Sequence, residues 1–390
     1  MAFNFKLLFR LAYKALFASH GTHARLTPKR LCILLITAVF YVVLEIANWI
    51  GFFLDRILFP GYRRQEIRQP VFIIGVPRSG TTFLHRVLAQ DEAQFTSMKF
   101  WEILLAPSVT QKKIFKTIGE FDRLCGSPLY RLVCIAEKYM FKSFSDLHQH
   151  SLFEAEEDGH LLLHIFSSAI IFSVLPFEEE LLPYFLFDME LDAVSRSRIM
   201  SFYKRCVQNH LYVFGKNKQF LSKNPVFSTM VQSLDETFPD AKFICTVRTP
   251  FETVPSTISM AARYFNTFLN PLEPYPFLDG LLKVLSCYYN YPLAKLDALP
   301  PHRQQIITYS ALVERLAQTV SDLYARLDIP MNPAYSQILQ KEQEKAQRYK
   351  SKHSYSLDKF VLTREQIVEK YEDIFNRFEF EKVFNPPSQS

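Results

Sequence analysis

Cysteine is scarce in this sequence: there are six cysteines in 390 residues, and no two of them have the C-x-x-C spacing. A chain with so few and such scattered cysteines shows neither a disulfide framework nor a thiolate zinc motif. Acceptor sites of the form Asn-x-Ser/Thr are also absent, which disfavours a glycosylated lumenal protein. These absences point away from a secreted, cross-linked domain.

Acidic residues are missing from the first 44 positions, and Glu45 is the first of them. Six of the 45 basic residues lie in that segment, and the 39 that follow are matched by 39 acidic residues. The formal charge of +6 therefore comes entirely from the N-terminal segment. Because the body of the chain is neutral overall, a broad polyanion-binding face is not indicated, and no nucleic-acid partner is expected.

The N-terminal segment combines this positive charge with a long apolar run. Lys6, Arg10 and Lys14 recur at every fourth position and form one stripe on a helix, which suits an anionic membrane surface. The run at 31–54 has Glu45 as its only charge and is long enough to cross a bilayer. Glu45 and Asn48 share a helical face, however, and would be costly in lipid. The pattern predicts that residues 1–58 attach the protein to a membrane, either by spanning it or by lying in it.

The rest of the chain predicts one large α/β domain. Short apolar strands are predicted at 71–75, 219–222, 242–247 and 305–309, and the order of strand followed by helix recurs along the chain. This alternation predicts a P-loop-like, mostly parallel sheet that is flanked by helices on both faces. We divide the chain into a membrane-associated segment, 1–65, and a catalytic domain, 66–390.

The region between the first two strands, 92–217, reads as mainly helical, and its apolar stretch 161–177 predicts a buried or membrane-dipping helix. His160 and His164 have an i, i+4 spacing that can ligate a metal, but the H-E-x-x-H order is absent. We expect no metal.

An anion site is predicted where the first strand ends. The apolar strand leads into a loop and then a helix start, so backbone N–H groups of the loop and the helix N-terminus converge. Gly75, Gly80 and Thr82 match the pattern G-x-x-x-x-G-K-[ST], but Thr81 stands at the position of the lysine. A nucleoside triphosphatase needs that lysine on the β- and γ-phosphates. The only cation of this loop is Arg78.

Pro77-Arg78-Ser79-Gly80-Thr81-Thr82 resembles the 5′-phosphosulfate loop of sulfotransferases that use 3′-phosphoadenylyl sulfate (PAPS). The nearest likeness is to bacterial and tyrosylprotein-type members, and it runs patchily from about residue 70 to about residue 380. The resemblance implies that residues 78–82 hold the 5′-phosphate of PAPS. It also implies that Arg78 stabilises the charge that develops during sulfuryl transfer.

A second phosphate element is predicted at Arg248, which ends an apolar strand, and at Ser256, eight residues later on the next helix. A strand-end cation and a serine so placed can clamp one phosphate, although a surface arginine and a helix-facing serine give the same pattern. In the resembling family this pair binds the 3′-phosphate. Three weaker assignments follow from the same resemblance: Lys223 in the active site, Tyr309 near the adenine, and Lys350 with Lys352 on a phosphate.

A general base must take the proton of the acceptor hydroxyl. Glu102 and His148 are both candidates, since relatives carry an acidic residue or a histidine at such places, and each could instead be structural. The sequence thus predicts a membrane-associated, PAPS-dependent sulfotransferase with a catalytic domain in the cytoplasm. Its acceptor is a hydroxyl group, for which a lipid or other hydrophobic alcohol is the leading candidate. The alternatives are a P-loop kinase or nucleotide hydrolase, and a non-catalytic membrane-bound nucleotide-binding scaffold.

Overall fold

The structure is a computed structural model that describes residues 3–140, 151–348, 360 and 362–382. Five strands form one sheet in the order β2-β3-β1-β4-β5, and every neighbouring pair is parallel. Their bounds are β1 Val71–Gly75, β2 Phe95–Thr96, β3 Gln219–Lys223, β4 Lys242–Val247 and β5 Gln304–Thr308. The predicted parallel sheet is confirmed, and the four predicted strands lie within one residue of their expected bounds.

Helices surround the sheet. The α-helices of the described residues are α1 Phe5–Phe17, α2 Pro28–Leu58, α3 Thr81–Leu88, α4 Phe100–Leu104, α5 Val109–Leu124, α6 Pro128–Met140, α7 Glu178–Phe185, α8 Phe187–Glu190, α9 Ala193–Phe214, α10 Val231–Thr237, α11 Pro250–Phe268, α12 Leu278–Asp297, α13 Tyr309–Glu314, α14 Leu316–Arg326, α15 Pro333–Arg348, α16 Arg364–Lys370 and α17 Glu372–Arg377. Short 3₁₀ helices occupy Pro60–Arg64, Asp158–Ile165, Ala169–Ser173, Pro225–Thr229 and Pro301–Arg303.

The central strands are buried on both faces because their side chains alternate between two cores. Phe72 and Ile74 of β1 belong to the larger core, which includes side chains of α9, α11 and α12. Val71 and Ile73 belong to the smaller core, with side chains of α3, α14 and α15. This two-sided cover fixes the carboxyl ends of β1 and β4, where both predicted phosphate-binding motifs begin.

The N-terminal helices share the larger core with the sheet. Leu7 and Leu11 of α1 are buried in it, and Asp55 of α2 accepts bonds from the first two backbone N–H groups of α5. Among the described residues, α2 is the one helix that is long and apolar enough to cross a membrane, by length and composition. The division of the chain at residue 65 stays a prediction, but side chains from both parts pack together.

The apolar stretch 161–177 is largely buried, but it is not the α-helix that its composition indicated. Two 3₁₀ helices divide it, and Phe166 between them has a left-handed φ of 50°. Ser168 begins the second one, because its hydroxyl accepts a bond from the N–H of Ile170. Serine hydroxyls that bond to nearby backbone compete with helix continuation in this way.

Candidate active site

The loop between β1 and α3 has the backbone shape of an anion cradle. Gly75 and Gly80 have φ values of 130° and 92°, which favour glycine. A Cβ at Gly75 would lie 2.2 Å from the carbonyl oxygen of Thr246, so β1 and β4 approach closely there. Arg78 has a left-handed φ of 68°, a costly conformation for arginine that clusters at ligand-binding sites.

The second predicted phosphate element meets this loop. Arg78 donates from Nε to Oγ of Ser256 on α11 at 3.0 Å. Arg248, just after β4, donates from Nη1 to the carbonyl oxygen of Arg78 at 3.2 Å. Two motifs that lie 170 residues apart in the chain thus come together at the carboxyl ends of neighbouring parallel strands, where ligands bind in open α/β sheets.

Arg248 has a partner that the sequence reasoning missed. Glu252, one turn later, accepts from Nε at 2.9 Å and from Nη2 at 2.5 Å of the guanidinium. Burial alone would lower the pKa of Arg248, but the hydrogen bonds and charge of Glu252 raise it. The two-pronged contact has the geometry with which arginine also binds a phosphate.

Tyr309 closes the loop from the side of β5, where it begins α13. The guanidinium of Arg248 lies 4.0 Å from the centre of its ring. A Cβ at Gly80 would lie 2.8 Å from the same ring. The ring is therefore packed between the two predicted phosphate elements, and its place near the adenine stays a prediction.

Lys223 ends β3 and is 2% exposed. Its Nζ lies 2.8 Å from Oε1 of Glu157 and 3.7 Å from Oε1 of Glu156. Both carboxylates come from the segment before Asp158–Ile165, and the chain separation of 66 residues between Glu157 and Lys223 hid this pair from sequence reasoning. A lysine that is buried and doubly paired is held in place, so its ammonium group is preorganised.

A cavity of about 900 Å³ adjoins these groups. Pro77, Arg78, Gly80, Thr81 and Thr82 line it on the loop side, together with Arg248, Tyr309, Glu156, Glu157 and His160. Apolar side chains line it elsewhere, among them Ile170, Phe172, Phe265, Leu281 and Leu285. Such a cavity, with a few polar groups at one place, is typical of a site for a sizeable apolar ligand.

His160 lines the cavity, although the sequence analysis considered it only as a possible metal ligand. Its Nδ1 lies 2.7 Å from the carbonyl oxygen of Glu157, and a carbonyl oxygen only accepts. Nδ1 therefore carries the proton in the neutral ring, and Nε2 is left as the basic nitrogen. Because His160 lines the cavity, this tautomer can receive a proton there.

Glu102 does not lie among the residues that line the cavity. It is 2% exposed, accepts from Nδ1 of His210 at 2.8 Å, and lies 3.4 Å from Nζ of Lys112. Burial alone would raise its pKa, but the charges of His210 and Lys112 outweigh burial and hold the pKa at about 2. It also accepts from the backbone N–H of Lys99 and so caps α4. These contacts favour a structural role over that of a general base.

His148, Lys350 and Lys352 lie outside the described residues, so their assignments stay predictions. Of the other predicted residues, the structure brings together the loop 78–82, Arg248, Ser256 and Tyr309. Lys223 reaches the same region through Glu156 and Glu157, which line the cavity. Glu102 alone is separated from the group.

The fold and the site define a P-loop-like α/β protein in which the two predicted phosphate elements meet beside a largely apolar cavity. Residues 70–333 match the model of the sulfotransferase family. The chain belongs to that family, and its activity is transfer of a sulfuryl group to a hydroxyl acceptor.

Relatives cover nearly the whole chain. It is 26% identical over 401 aligned positions to the omega-hydroxy-beta-dihydromenaquinone-9 sulfotransferase Stf3 of Mycobacterium bovis, which covers 99% of this chain and 92% of that protein. The same values hold for Stf3 of Mycobacterium tuberculosis. The crystal structure of sulfotransferase STF1 from Mycobacterium tuberculosis superposes with a TM-score of 0.69 at 19% identity, over 95% of this chain and 94% of that one. Sulfotransferase STF9 from Mycobacterium avium gives 0.67 at 18% identity, over 85% and 82%. These two structures show the fold.

Proposed function

We propose that this sulfotransferase uses PAPS as its donor and a membrane lipid or other hydrophobic alcohol as its acceptor. The observation that carries this proposal is the meeting of Arg78, Ser256 and Arg248 beside the apolar cavity of about 900 Å³. A nucleotide with two separate phosphate groups suits two adjoining phosphate elements. An acceptor with a long apolar body suits the cavity.

In this proposal four groups of residues bind the donor. Residues 78–82 hold the 5′-phosphate through backbone N–H groups at the start of α3. Arg248 and Ser256 hold the 3′-phosphate, and the guanidinium leaves Glu252 to do so. Tyr309 lies against the adenine. Lys350 and Lys352 are further phosphate ligands in this proposal.

The acceptor class follows from the cavity lining. Polar groups lie where the loop enters the cavity, and the remainder of the wall is mainly apolar. A hydroxyl at the end of an apolar chain would reach the polar groups while its chain lies along Phe172, Phe265 and Leu281. The curated relative Stf3 is named for an omega-hydroxy menaquinone derivative, which is an acceptor of this kind.

In the reaction the acceptor oxygen forms a bond to sulfur while the bond from sulfur to the bridging phosphate oxygen breaks. Adenosine 3′,5′-bisphosphate leaves, and the hydroxyl proton passes to a base. Arg78 and Lys223 stabilise the negative charge on the leaving phosphate, because both are cations held in fixed positions. His160 is the base in this proposal, because it lines the cavity and its Nδ1 is bonded to a carbonyl oxygen, which leaves Nε2 to accept the proton. His148 stays a candidate, and Glu102 is the least suited.

The catalytic domain lies on the cytoplasmic side in this proposal, and residues 1–58 attach it to the membrane. The six cysteines are all free, which suits a reducing compartment. The apolar helix α2 supplies the attachment.

Sulfur-labelled PAPS tests the proposal directly. The full-length protein is incubated with a total membrane lipid extract, and the organic phase is analysed for labelled product by mass spectrometry. We expect one or a few labelled lipids with wild type and none with Arg78→Ala. Labelling from γ-labelled ATP in place of PAPS would indicate a kinase. Binding of adenosine 3′,5′-bisphosphate without turnover of any lipid, carbohydrate or tyrosine acceptor would indicate a non-catalytic scaffold.

A further inference from the structure

The helix α2 has its polar side buried and its apolar side exposed. Every exposed residue between positions 31 and 54 is apolar. The large side chains among them with the greatest exposed fractions are Ile36, Val39, Val43, Phe53, Leu35 and Ile46. A surface helix of a protein in water has the opposite arrangement, with its apolar stripe toward the core. The exposed side of α2 is therefore suited to an apolar surrounding.

The buried polar side of α2 is bonded to the body of the protein along its whole length. Near its start Arg30 donates to the carbonyl oxygens of Val174 and Phe268. In its middle Glu45 Oε1 lies 2.6 Å from Nδ1 of His164. Three further residues of α2 form hydrogen bonds with the body and so act as anchors. Tyr41 bonds to Leu163, Asn48 bonds to Leu104 and Gln111, and Asp55 bonds to Val109 and Thr110. These anchors span 25 residues, or about 38 Å of helix, so α2 lies along the body and does not project from it.

The apolar surface continues on three further helices. On α1 the exposed aromatic side chains Phe5, Phe9, Tyr13 and Phe17 recur at every fourth position. Phe3, just before α1, lies 6.4 Å from Trp49 of α2. The helix α5 packs on α2 at Gly51, where a Cβ would lie 2.4 Å from Oγ of Ser108. On α5 and α6 the exposed apolar side chains are Ile114, Phe115, Ile118, Phe121, Leu124, Leu129, Tyr130, Leu132 and Ile135.

The exposed charge on the same four helices is mainly positive. Among the residues of these helices whose burial the structure describes, the exposed charged ones are Glu120 and eight basic ones, namely Lys6, Arg10, Lys29, Arg56, Lys113, Lys116, Arg123 and Arg131. Their other acidic residues, Glu45, Asp55, Asp122 and Glu137, are buried. A broad apolar surface bordered by cations complements the acyl region and the anionic headgroups of a bilayer.

We propose that α1, α2, α5 and α6 together form a monotopic membrane face, which lies in one leaflet of an anionic bilayer. Crossing the bilayer would require α2 either to leave the partners of Glu45, Asn48 and Asp55 or to carry the body into the lipid. Both changes are costly, because a polar group without a hydrogen-bond partner is strongly unfavourable in hydrocarbon. The proposal extends the membrane attachment proposed above from residues 1–58 to α5 and α6, and it sets the orientation of α2.

The membrane face adjoins the cavity. The segment 163–174 bonds to α2 through Tyr41, Glu45 and Arg30, and residues 167–170, 172 and 173 of it line the cavity. Ile170 in this segment is 39% exposed. A lipid alcohol that leaves the bilayer next to this segment would therefore enter the cavity without crossing water.

Vesicle flotation tests the part played by α5 and α6. The full-length protein is mixed with vesicles of phosphatidylcholine and phosphatidylglycerol, and the bound fraction is measured for wild type, Phe121→Asp/Leu132→Asp and Met189→Asp. Met189 is 50% exposed on α8, whose Asp188 bonds to α10 and α12, and it serves as the matched control. We expect the vesicle-binding constant to fall at least about tenfold for the double variant, since each lost side chain removes buried apolar area, and to stay unchanged for Met189→Asp.

Two readouts keep this test independent of folding and of the proposed activity. Binding of adenosine 3′,5′-bisphosphate shows that the double variant is folded, and turnover of a detergent-dispersed acceptor reports sulfotransfer without a bilayer. A folded double variant that binds vesicles like wild type overturns the proposal. So does a wild-type dimer that the double variant converts to a monomer while vesicle binding is unchanged, because the surface would then bind a second copy of the chain.

Chemical labelling from each side of the membrane tests the orientation of α2. Lys29→Cys and Arg56→Cys place thiols at its two ends, and a membrane-impermeant maleimide is applied to sealed membrane vesicles of each orientation. Labelled peptides are identified by mass spectrometry, so that the native Cys32 is distinguished. We expect both ends to react from the same side and neither from the other. Reaction of the two ends from opposite sides would show that α2 spans the bilayer.

Discussion

Arg78 donates from Nε to Oγ of Ser256 at 3.0 Å, and this bond joins the loop after β1 to α11. The guanidinium is held beside the loop by a residue of the other phosphate element. A cation that is fixed before the substrate binds needs little reorganisation when charge develops, and this is the condition for strong electrostatic catalysis. The strained backbone of Arg78 fits the same interpretation.

Arg78 should therefore matter more for turnover than for nucleotide affinity. We expect Arg78→Ala to lower kcat by about 10²–10³, the usual loss for one preorganised donor. Binding of adenosine 3′,5′-bisphosphate should stay within about tenfold, because backbone N–H groups still hold the 5′-phosphate. Steady-state kinetics and titration calorimetry measure the two quantities. A variant with normal kcat and lost affinity would assign the leaving-group role to Lys223.

Arg248 should distinguish nucleotides that have a 3′-phosphate from those that lack one. We expect Arg248→Ala to weaken binding of PAPS about ten- to a hundredfold more than binding of adenosine 5′-phosphosulfate, because charge-assisted hydrogen bonds contribute about 1.5–3 kcal/mol. Calorimetry with both nucleotides measures the difference. Equal losses for the two would contradict the assignment of the 3′-phosphate to Arg248.

Substitution of Glu252 should change PAPS binding in the direction opposite to that of Arg248→Ala. It competes for both donor nitrogens of Arg248, so Glu252→Gln should release the guanidinium and remove a negative charge next to the bound phosphate. We expect PAPS to bind more tightly, by about two- to tenfold, with no change for adenosine 5′-phosphosulfate. Weaker PAPS binding in this variant would show that Glu252 orients Arg248 and does not compete with the ligand.

His160 should control the dependence of the rate on pH. A histidine base must be neutral to accept the proton, so the wild-type rate should fall toward acid pH. We expect His160→Gln to lower kcat by about 10²–10⁴ and to remove this acid limb. Glu102→Gln is the comparison: it should lower the free energy of unfolding and keep the limb. If Glu102→Gln removes the limb and His160→Gln does not, Glu102 is the base.

Sequence patterns predicted those parts of the structure that depend on neighbouring residues. The strands β1, β3, β4 and β5 were predicted because short apolar runs followed by helices are typical of parallel sheets. The loop at 75–82 was predicted because its glycines occur at fixed spacing. The strand β2 was missed, since two residues carry no periodic signal.

Pairings across the chain were not predictable in this way. Lys223 was predicted to be functional, but its partner Glu157 lies 66 residues away. For Glu102 the position after the first helix was readable but the direction of its side chain was not, and the side chain turns toward Lys112 and His210. The sequence shows that Glu45 and Asn48 share one face of α2. It does not show that this face bonds to residues 104, 111 and 164.

Asp158 should make stability depend on pH. It is buried beside Glu157, and its carboxylate accepts from Tyr203 and Ser222. Burial outweighs these bonds and raises its pKa from 3.8 to about 7. Because the folded state binds the proton more tightly, the stabilisation is complete below pH 3.8 and is lost as the pH rises through about 7.

We therefore expect the free energy of unfolding of wild type to fall between pH 4 and pH 8 relative to that of Asp158→Asn, by at most about 4 kcal/mol. Urea denaturation across this pH range measures both proteins. A constant difference between them would show that Asp158 is ionised throughout in the folded state.

Asp55 should contribute to the stability of the whole protein, although it lies near the C-terminal end of the apolar helix α2. Its Oδ2 accepts from the N–H of Val109 at 2.8 Å, and its Oδ1 accepts from the N–H and the hydroxyl of Thr110, both at 2.7 Å. The carboxylate thus caps α5 from another helix, and it is fully buried. Its removal leaves three buried donors without their partner.

We expect Asp55→Ala to lower the free energy of unfolding by about 3 kcal/mol, because the loss of a cap adds to the cost of unsatisfied buried donors. Asp192 is the matched control: it caps α9 from an exposed position, and Asp192→Ala should cost only about 1 kcal/mol. Urea denaturation in detergent, followed by the loss of adenosine 3′,5′-bisphosphate binding, measures both variants. If α2 were an independent anchor, Asp55→Ala would leave the nucleotide site as stable as in wild type. A loss larger than that of Asp192→Ala would show that α2 and the catalytic domain unfold together.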